Sequence, residues 1–84
     1  KMMKIKEAAI LYNGDIYTGK RHHNIISDMR NKYLILDKQA VRNQGFITED
    51  GQFVDRIDGA TLAIQSGQIQ KLKWPPNLYS EDLY

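Results

Sequence analysis

The sequence predicts one α+β domain: an antiparallel sheet from two hairpins plus a last strand, with two helices packed on it. Three observations carry this. Asn13-Gly14 and Asp50-Gly51 each stand between strand-like apolar segments. These dipeptides favour two-residue hairpin turns, in which both positions need positive φ. Ile25, Ile26, Met29 and Tyr33 recur at helical steps, and a second helical stretch is bracketed by Asp55 and Gly67.

The elements follow in chain order. Lys1, ahead of Met2 and Met3, reads as an expression scar and is left out of the fold. Ile5 to Tyr12 is an apolar, strand-like run. A two-residue turn at Asn13-Gly14 pairs Tyr12 with Asp15, Leu11 with Ile16 and Ile10 with Tyr17, so Leu11 and Ile16 share one face. Gly19 stops the second strand. Arg21 to about Tyr33 is helical, with Thr18 or Gly19 as N-cap. Leu34 to Asp37 is a short apolar segment of unassigned type.

The second hairpin joins Phe46-Ile47-Thr48-Glu49 to Gln52-Phe53-Val54. Asp55 caps the second helix, Gly67 closes it at C′, and Ile57, Ala60 and Ile64 form its apolar face. Gly59 inside this helix costs about 1 kcal/mol relative to alanine. Together with Ala63 it implies close approach by a sheet or a partner helix. Gln68 to Trp74 alternates imperfectly and reads as the last strand. Pro75-Pro76 imposes an extended exit. The tail, residues 75–84, has Ser80 as cap for one short turn. Its apolar Leu78, Tyr79, Leu83 and Tyr84 imply docking on the domain's own core or on a neighbour.

The 84 residues make one domain, 1–84. A chain of this size buries only roughly 60–65% of its unfolded surface. With no cysteine there is neither a disulfide nor a thiolate metal site, and small unstapled chains recover burial by association, so a homo-oligomer is expected. Twelve Lys/Arg against ten Asp/Glu give +2, too balanced for charge-driven binding of long nucleic acid. No apolar run approaches the roughly 18 residues of a membrane span, and nothing at the start reads as a signal peptide. These features point to the cytosol.

The segment Gly19-Lys20-Arg21-His22-His23 is the most informative for chemistry. It enters the first helix, where four backbone N–H groups lack partners and the dipole disfavours cations. Lys20 and Arg21 stand there without an acid in the first turn. A bound anion would account for this, with N–H groups, dipole and Arg21 converging on a phosphate. The alternative is that both cations face solvent and the histidines are ordinary surface or core residues.

Metal binding by His22 and His23 is disfavoured, because helix neighbours diverge by about 100° and no third His or Cys exists. Catalysis lacks a nucleophile elbow, a Gly-rich phosphate loop and a paired acidic motif. Phe46 and Trp74 lie at element boundaries, where an aromatic either stacks on a base or joins the core. Arg56 opens the second helix, either paired with Asp55 or Asp58 or serving as a second phosphate contact.

Three blocks carry a resemblance. The first runs from Ala8-Ala9-Ile10 through Gly14, Ile16-Tyr17, Gly19 and Arg21-His22-His23 to Ile25-Ile26. The second is Gln44-Gly45-Phe46, Gly51, Phe53, Asp55-Arg56, Ala60, Ala63 and Gly67-Gln68-Ile69. The third is Ser80 to Tyr84. In these blocks the chain resembles the phage Thoeris anti-defence proteins of type one, which are sponges for immune signalling nucleotides. The resemblance implies capture, without cleavage, of cyclic ADP-ribose isomers and in some members cyclic oligonucleotides. It also implies dimers or hexamers with pockets between subunits, in the cytoplasm of an infected bacterial host, and no cofactor.

The expected ligand-binding set is Lys20, Arg21, His22, His23, Phe46, Arg56 and Trp74; Arg21, His22, His23, Phe46 and Arg56 fall in the resembling blocks, whereas Lys20 and Trp74 rest on the residues alone. The alternatives are a small phosphodiesterase or lyase acting on such nucleotides and a protein-binding phage regulatory module.

Overall fold

The first hairpin turns at Asn13-Gly14, both in the left-handed region at φ 54° and 84°. It pairs Ile10, Leu11 and Tyr12 with Tyr17, Ile16 and Asp15 in the expected register. A computed structural model describes residues 3–32 and 43–84. The elements are β1 (Ile5–Tyr12), β2 (Asp15–Gly19), α1 (His22–Asn31), β3 (Gln44–Thr48), β4 (Phe53–Asp55), α2 (Arg56–Gln65) and α3 (Ser80–Leu83). The four strands form an antiparallel sheet in the order β2-β1-β3-β4. The expectations for Tyr33 and for Leu34 to Asp37 lie outside the described residues.

Side-chain alternation assigns the faces of the sheet. Ala8 lies opposite Phe46, and Ile10 follows Ala8 two residues on. A register shift between Ile5 and Glu7 changes the parity, which brings Ile5 into the same buried cluster. Ile25 and Met29 from α1, Ala60 and Ala63 from α2, and Leu78 from the tail complete this core. The opposite face carries Leu11, Ile16, Ile47 and Phe53, none of them fully buried.

The second hairpin departs from the expected two-residue turn. Gly51 has φ 86°, whereas Asp50 does not have positive φ. Gly51 N–H bonds Thr48 O at 3.0 Å and Thr48 N–H bonds Gln52 O at 2.9 Å. The loop is therefore three residues, Glu49-Asp50-Gly51, and only its last position requires a glycine. The Thr48 hydroxyl bonds the Asp50 carboxylate and so satisfies the side chain expected to occupy a primed turn.

Helix α1 is capped by Arg21 and not by Thr18 or Gly19. Arg21 is extended, at φ −125° and ψ 147°, and no side chain accepts from the first turn. Asp55 caps α2 as expected, its carboxylate accepting from Asp58 N–H at 2.7 Å. Gly67 closes α2 at φ 77°. The buried stripe of α2 is Gly59, Ala60 and Ala63, whereas Ile57 and Ile64 are 53% and 43% exposed. Phe46 and Leu78 already fill the space beneath the helix. A Cβ on Gly59 would meet Phe46 Cδ2 at 3.2 Å and Leu78 Cδ2 at 3.3 Å, so only the smallest residues fit.

No strand forms over Gln68 to Trp74. The link of this segment to the sheet is a side chain. The Gln68 amide accepts from Ile5 N–H and donates to Ile5 O, both at 2.8 Å, which reproduces one ladder pair without a second backbone. Pro75-Pro76 sits in a turn closed by Asn77 N–H to Trp74 O at 3.3 Å, in place of the expected extended exit. Tyr79, not Ser80, is the N-cap of α3, and the Asp82 carboxylate accepts from Tyr79 N–H at 2.9 Å. Ser80 is buried, and Leu78 has no exposed surface. The tail docks on the chain's own core.

Candidate functional site

Two arginines, Arg21 of the basic segment and Arg56 of α2, meet the tail. Arg21 Nη2 donates to Tyr84 O at 3.1 Å, and its guanidinium stands 5.5 Å from the centre of the Tyr84 ring. Lys20 Nζ stands 5.4 Å from the same ring. The ring's negative face attracts both cations, which brings two like charges together on one aromatic. Arg21 Nη1 is buried with no hydrogen-bond partner among the described residues. A buried donor without a partner carries an uncompensated desolvation cost. The Tyr84 hydroxyl donates to Lys6 O at 3.1 Å. Burial raises its pKa, Glu7 adds to the rise, and Arg21 opposes it.

The start of α1 has the polarity expected from the sequence. Asn24 and Ile25 N–H both bond Arg21 O, no side chain caps the turn, and no acid lies within it. The two histidines part company there. His22 is 7% exposed, and its Nε2 lies 2.7 Å from Gly45 O. A carbonyl only accepts, so Nε2 carries the proton. The ring stands edge-on to Phe46 at 5.1 Å and 86°. Burial lowers the His22 pKa, with Arg56 adding to the fall and the Gly45 bond and Glu81 opposing it. His23 is exposed and lines a shallow hollow with Ile26, Ser27, Arg30 and Asn31.

Gly45, which accepts from His22, also sets the spacing of its own strand. A Cβ there would meet Val54 O at 2.1 Å and the Phe53 ring at 2.7 Å, so glycine alone permits the close pairing of β3 with β4. Phe46 has no exposed surface and belongs to the core. Arg56 pairs with neither Asp55 nor Asp58. Its Nη1 donates to Leu78 O at 2.7 Å and its Nη2 to the Gln44 side-chain oxygen. The guanidinium lies 4.5 Å from the Tyr79 ring centre and 6.0 Å from that of Phe46. Burial lowers its pKa, while Tyr79 and Glu81 oppose the change. Leu78 N–H returns a bond to Arg56 O at 3.0 Å, so this arginine clasps the tail to the sheet.

Trp74 is 54% exposed and meets Tyr79 edge-to-face at 5.5 Å and 85°. Trp74, Tyr79 and Glu81 line an open hollow of about 420 Å³. The expected residues thus fall into three neighbouring groups joined by the tail. Lys20 and Arg21 lie on Tyr84, His22 and Arg56 lie on Phe46, and Trp74 reaches Arg56 through Tyr79. His23 stands apart from these contacts. Sequence reasoning missed Tyr79, Tyr84, Gln44, Gly45 and Glu81. The aromatics were legible as a docking tail, but their seats on guanidiniums depend on contacts between residues as far apart as Arg21 and Tyr84.

Among the described residues, no group of three or more His, Cys, Asp or Glu side chains could hold a metal ion. No described helix is long and apolar enough to cross a membrane. No curated protein and no solved structure matched the sequence. The family model of the phage T4 y16D protein matches residues 4–84. That match spans nearly the whole chain, including the basic segment, both arginines and the aromatic tail. The chain belongs to the phage T4 y16D protein family.

Proposed function

We propose that this protein binds a phosphorylated nucleotide and holds it unchanged, acting in an infected bacterial cytoplasm as a sponge for a cyclic immune messenger. The observation that carries the reading is Arg21. Its buried Nη1 lacks a partner at the mouth of a helix with no cap and no first-turn acid. A phosphate oxygen would satisfy that donor and complement the dipole. Membership of a phage protein family agrees with the phage setting. The resemblance of the Arg21-His22-His23 block to Thoeris anti-defence proteins supplies the ligand class: cyclic ADP-ribose isomers or cyclic oligonucleotides.

Holding rather than converting suits the histidines. His22 Nε2 is engaged by Gly45 O, and His23 stands apart from the arginine and aromatic contacts, so neither has a partnered acid–base arrangement. Useful sequestration at messenger concentrations needs a dissociation constant near nanomolar, about −12 kcal/mol. Charge-assisted hydrogen bonds contribute about 1.5–3 kcal/mol each, so one arginine falls well short. A pocket shared between two chains closes the gap, which ties the function to an oligomer.

Calorimetric titration with a cyclic ADP-ribose isomer tests the assignment. Arg21→Glu should weaken binding by at least about tenfold while the far-ultraviolet dichroism stays unchanged. Stability should shift by no more than about 1 kcal/mol, because the helix start gains an acid as it loses the Tyr84 bond. An Arg21→Glu protein that is folded and binds as tightly as the parent contradicts the reading.

A further inference from the structure

We propose that the hollow walled by Trp74, Tyr79 and Glu81 is a base subsite that takes a purine ring bearing N–H donors. This inference rests on the reading above that the ligand is a nucleotide. Trp74 presents 54% of its surface to solvent and stands perpendicular to Tyr79. A flat ring laid on the exposed indole therefore has the Tyr79 ring as a second wall at a right angle to the first. Stacking of this kind is available to any base, so the indole alone does not choose among them.

Glu81 supplies the choice. It forms the third wall, and its carboxylate has no hydrogen bond or ion pair among the described residues. Lys73 comes close, but its Nζ donates to the Glu81 backbone oxygen at 3.2 Å. An ionised carboxylate only accepts, so it repels phosphate and selects a ring edge with adjacent N–H donors, as on an aminopurine. A small organic cation would also satisfy a carboxylate beside two aromatics. Against that, the Arg56 guanidinium already lies 4.5 Å from the Tyr79 ring centre. A second cation on that ring would face it, whereas a neutral base adds no charge.

The Tyr79 wall is set before any ligand arrives. Tyr79 is fixed by the Arg56 contact, by Arg56 Nη1 to Leu78 O, and by its own N–H to Asp82. Preorganised walls lower the ordering cost of binding. The tail also links the hollow to the basic segment. Tyr79, which walls the hollow, precedes α3, and Tyr84, which seats Lys20 and Arg21, follows it. Base and phosphate would then flank the short helix α3.

The chain has a single tryptophan, so its emission reports on this hollow alone. Guanosine monophosphate should quench and shift Trp74 emission, and tetramethylammonium should not. Trp74→Leu, followed by calorimetry, should weaken guanosine monophosphate about tenfold or more. Glu81→Gln should weaken it by about tenfold while leaving unsubstituted purine riboside unaffected. Arg21→Ala should weaken the nucleotide but not guanosine. Loss of that Arg21 effect alone removes the phosphate reading and leaves the base subsite standing. Unmoved Trp74 emission at millimolar purine nucleotide, parental affinity in Trp74→Leu, or preference for tetramethylammonium overturns the subsite.

Discussion

With its Nε2 proton given to Gly45 O, the His22 ring can gain a charge only by protonating Nδ1 inside the core, near Arg56. Its folded pKa lies below the ordinary 6.5, chiefly through burial. Between that lowered value and 6.5 the unfolded chain holds more protons, so stability rises with pH across this window. The contribution is complete above 6.5 and is lost as pH falls below it. Urea midpoints between about pH 7.5 and 5 should therefore drop for the parent and drop less for His22→Gln, which keeps a donor. Equal slopes in the two proteins would remove His22 from the account. Gly45→Ala should cost about 1–3 kcal/mol or prevent folding, since its methyl meets a carbonyl and a ring. The sequence marks Arg21 by the rule it breaks, a cation where an acid belongs. It does not mark Arg56 as a tail clasp, because Asp55 and Asp58 offer nearer partners than Leu78 and Gln44.

Elements with local signals were legible from residues alone. Asn13-Gly14 fixes the first hairpin and its register, and Asp55 and Gly67 bound α2, because turns and caps are decided within a few residues. The stripe of α2 and the segment from Gln68 to Trp74 were not. Which helix face is buried depends on what fills the sheet, and there Phe46 and Leu78 leave room only for Gly59, Ala60 and Ala63. Hydropathy alone favours Ile57 and Ile64, which the fold exposes. Two substitutions separate these readings in thermal or urea unfolding. Leu78→Ala should cost about 2–5 kcal/mol through loss of core volume. Ile57→Lys should stay within about 0.5 kcal/mol of the parent, unless α2 faces a second chain. A large loss for Ile57→Lys in a monomeric preparation would refute the observed orientation of α2.

At the scale of the molecule, the described helices and tail all join the cluster on one face of the sheet, and Leu11, Ile16, Ile47 and Phe53 lie on the other. A domain this small gains stability by covering such a face with a second copy. Light scattering should give a multiple of the chain mass at micromolar concentration, and Ile47→Glu should reduce that mass. A parent that scatters as a monomer would leave each pocket to a single chain and remove the route to nanomolar affinity. The central claim is capture without conversion. Its direct test is to incubate the protein with a cyclic ADP-ribose isomer, remove free ligand by filtration, denature the protein and identify what is released. Intact ligand is expected, bound in proportion to the intact oligomer. Altered ligand would make the protein an enzyme, and no released ligand would make it a binder of something else.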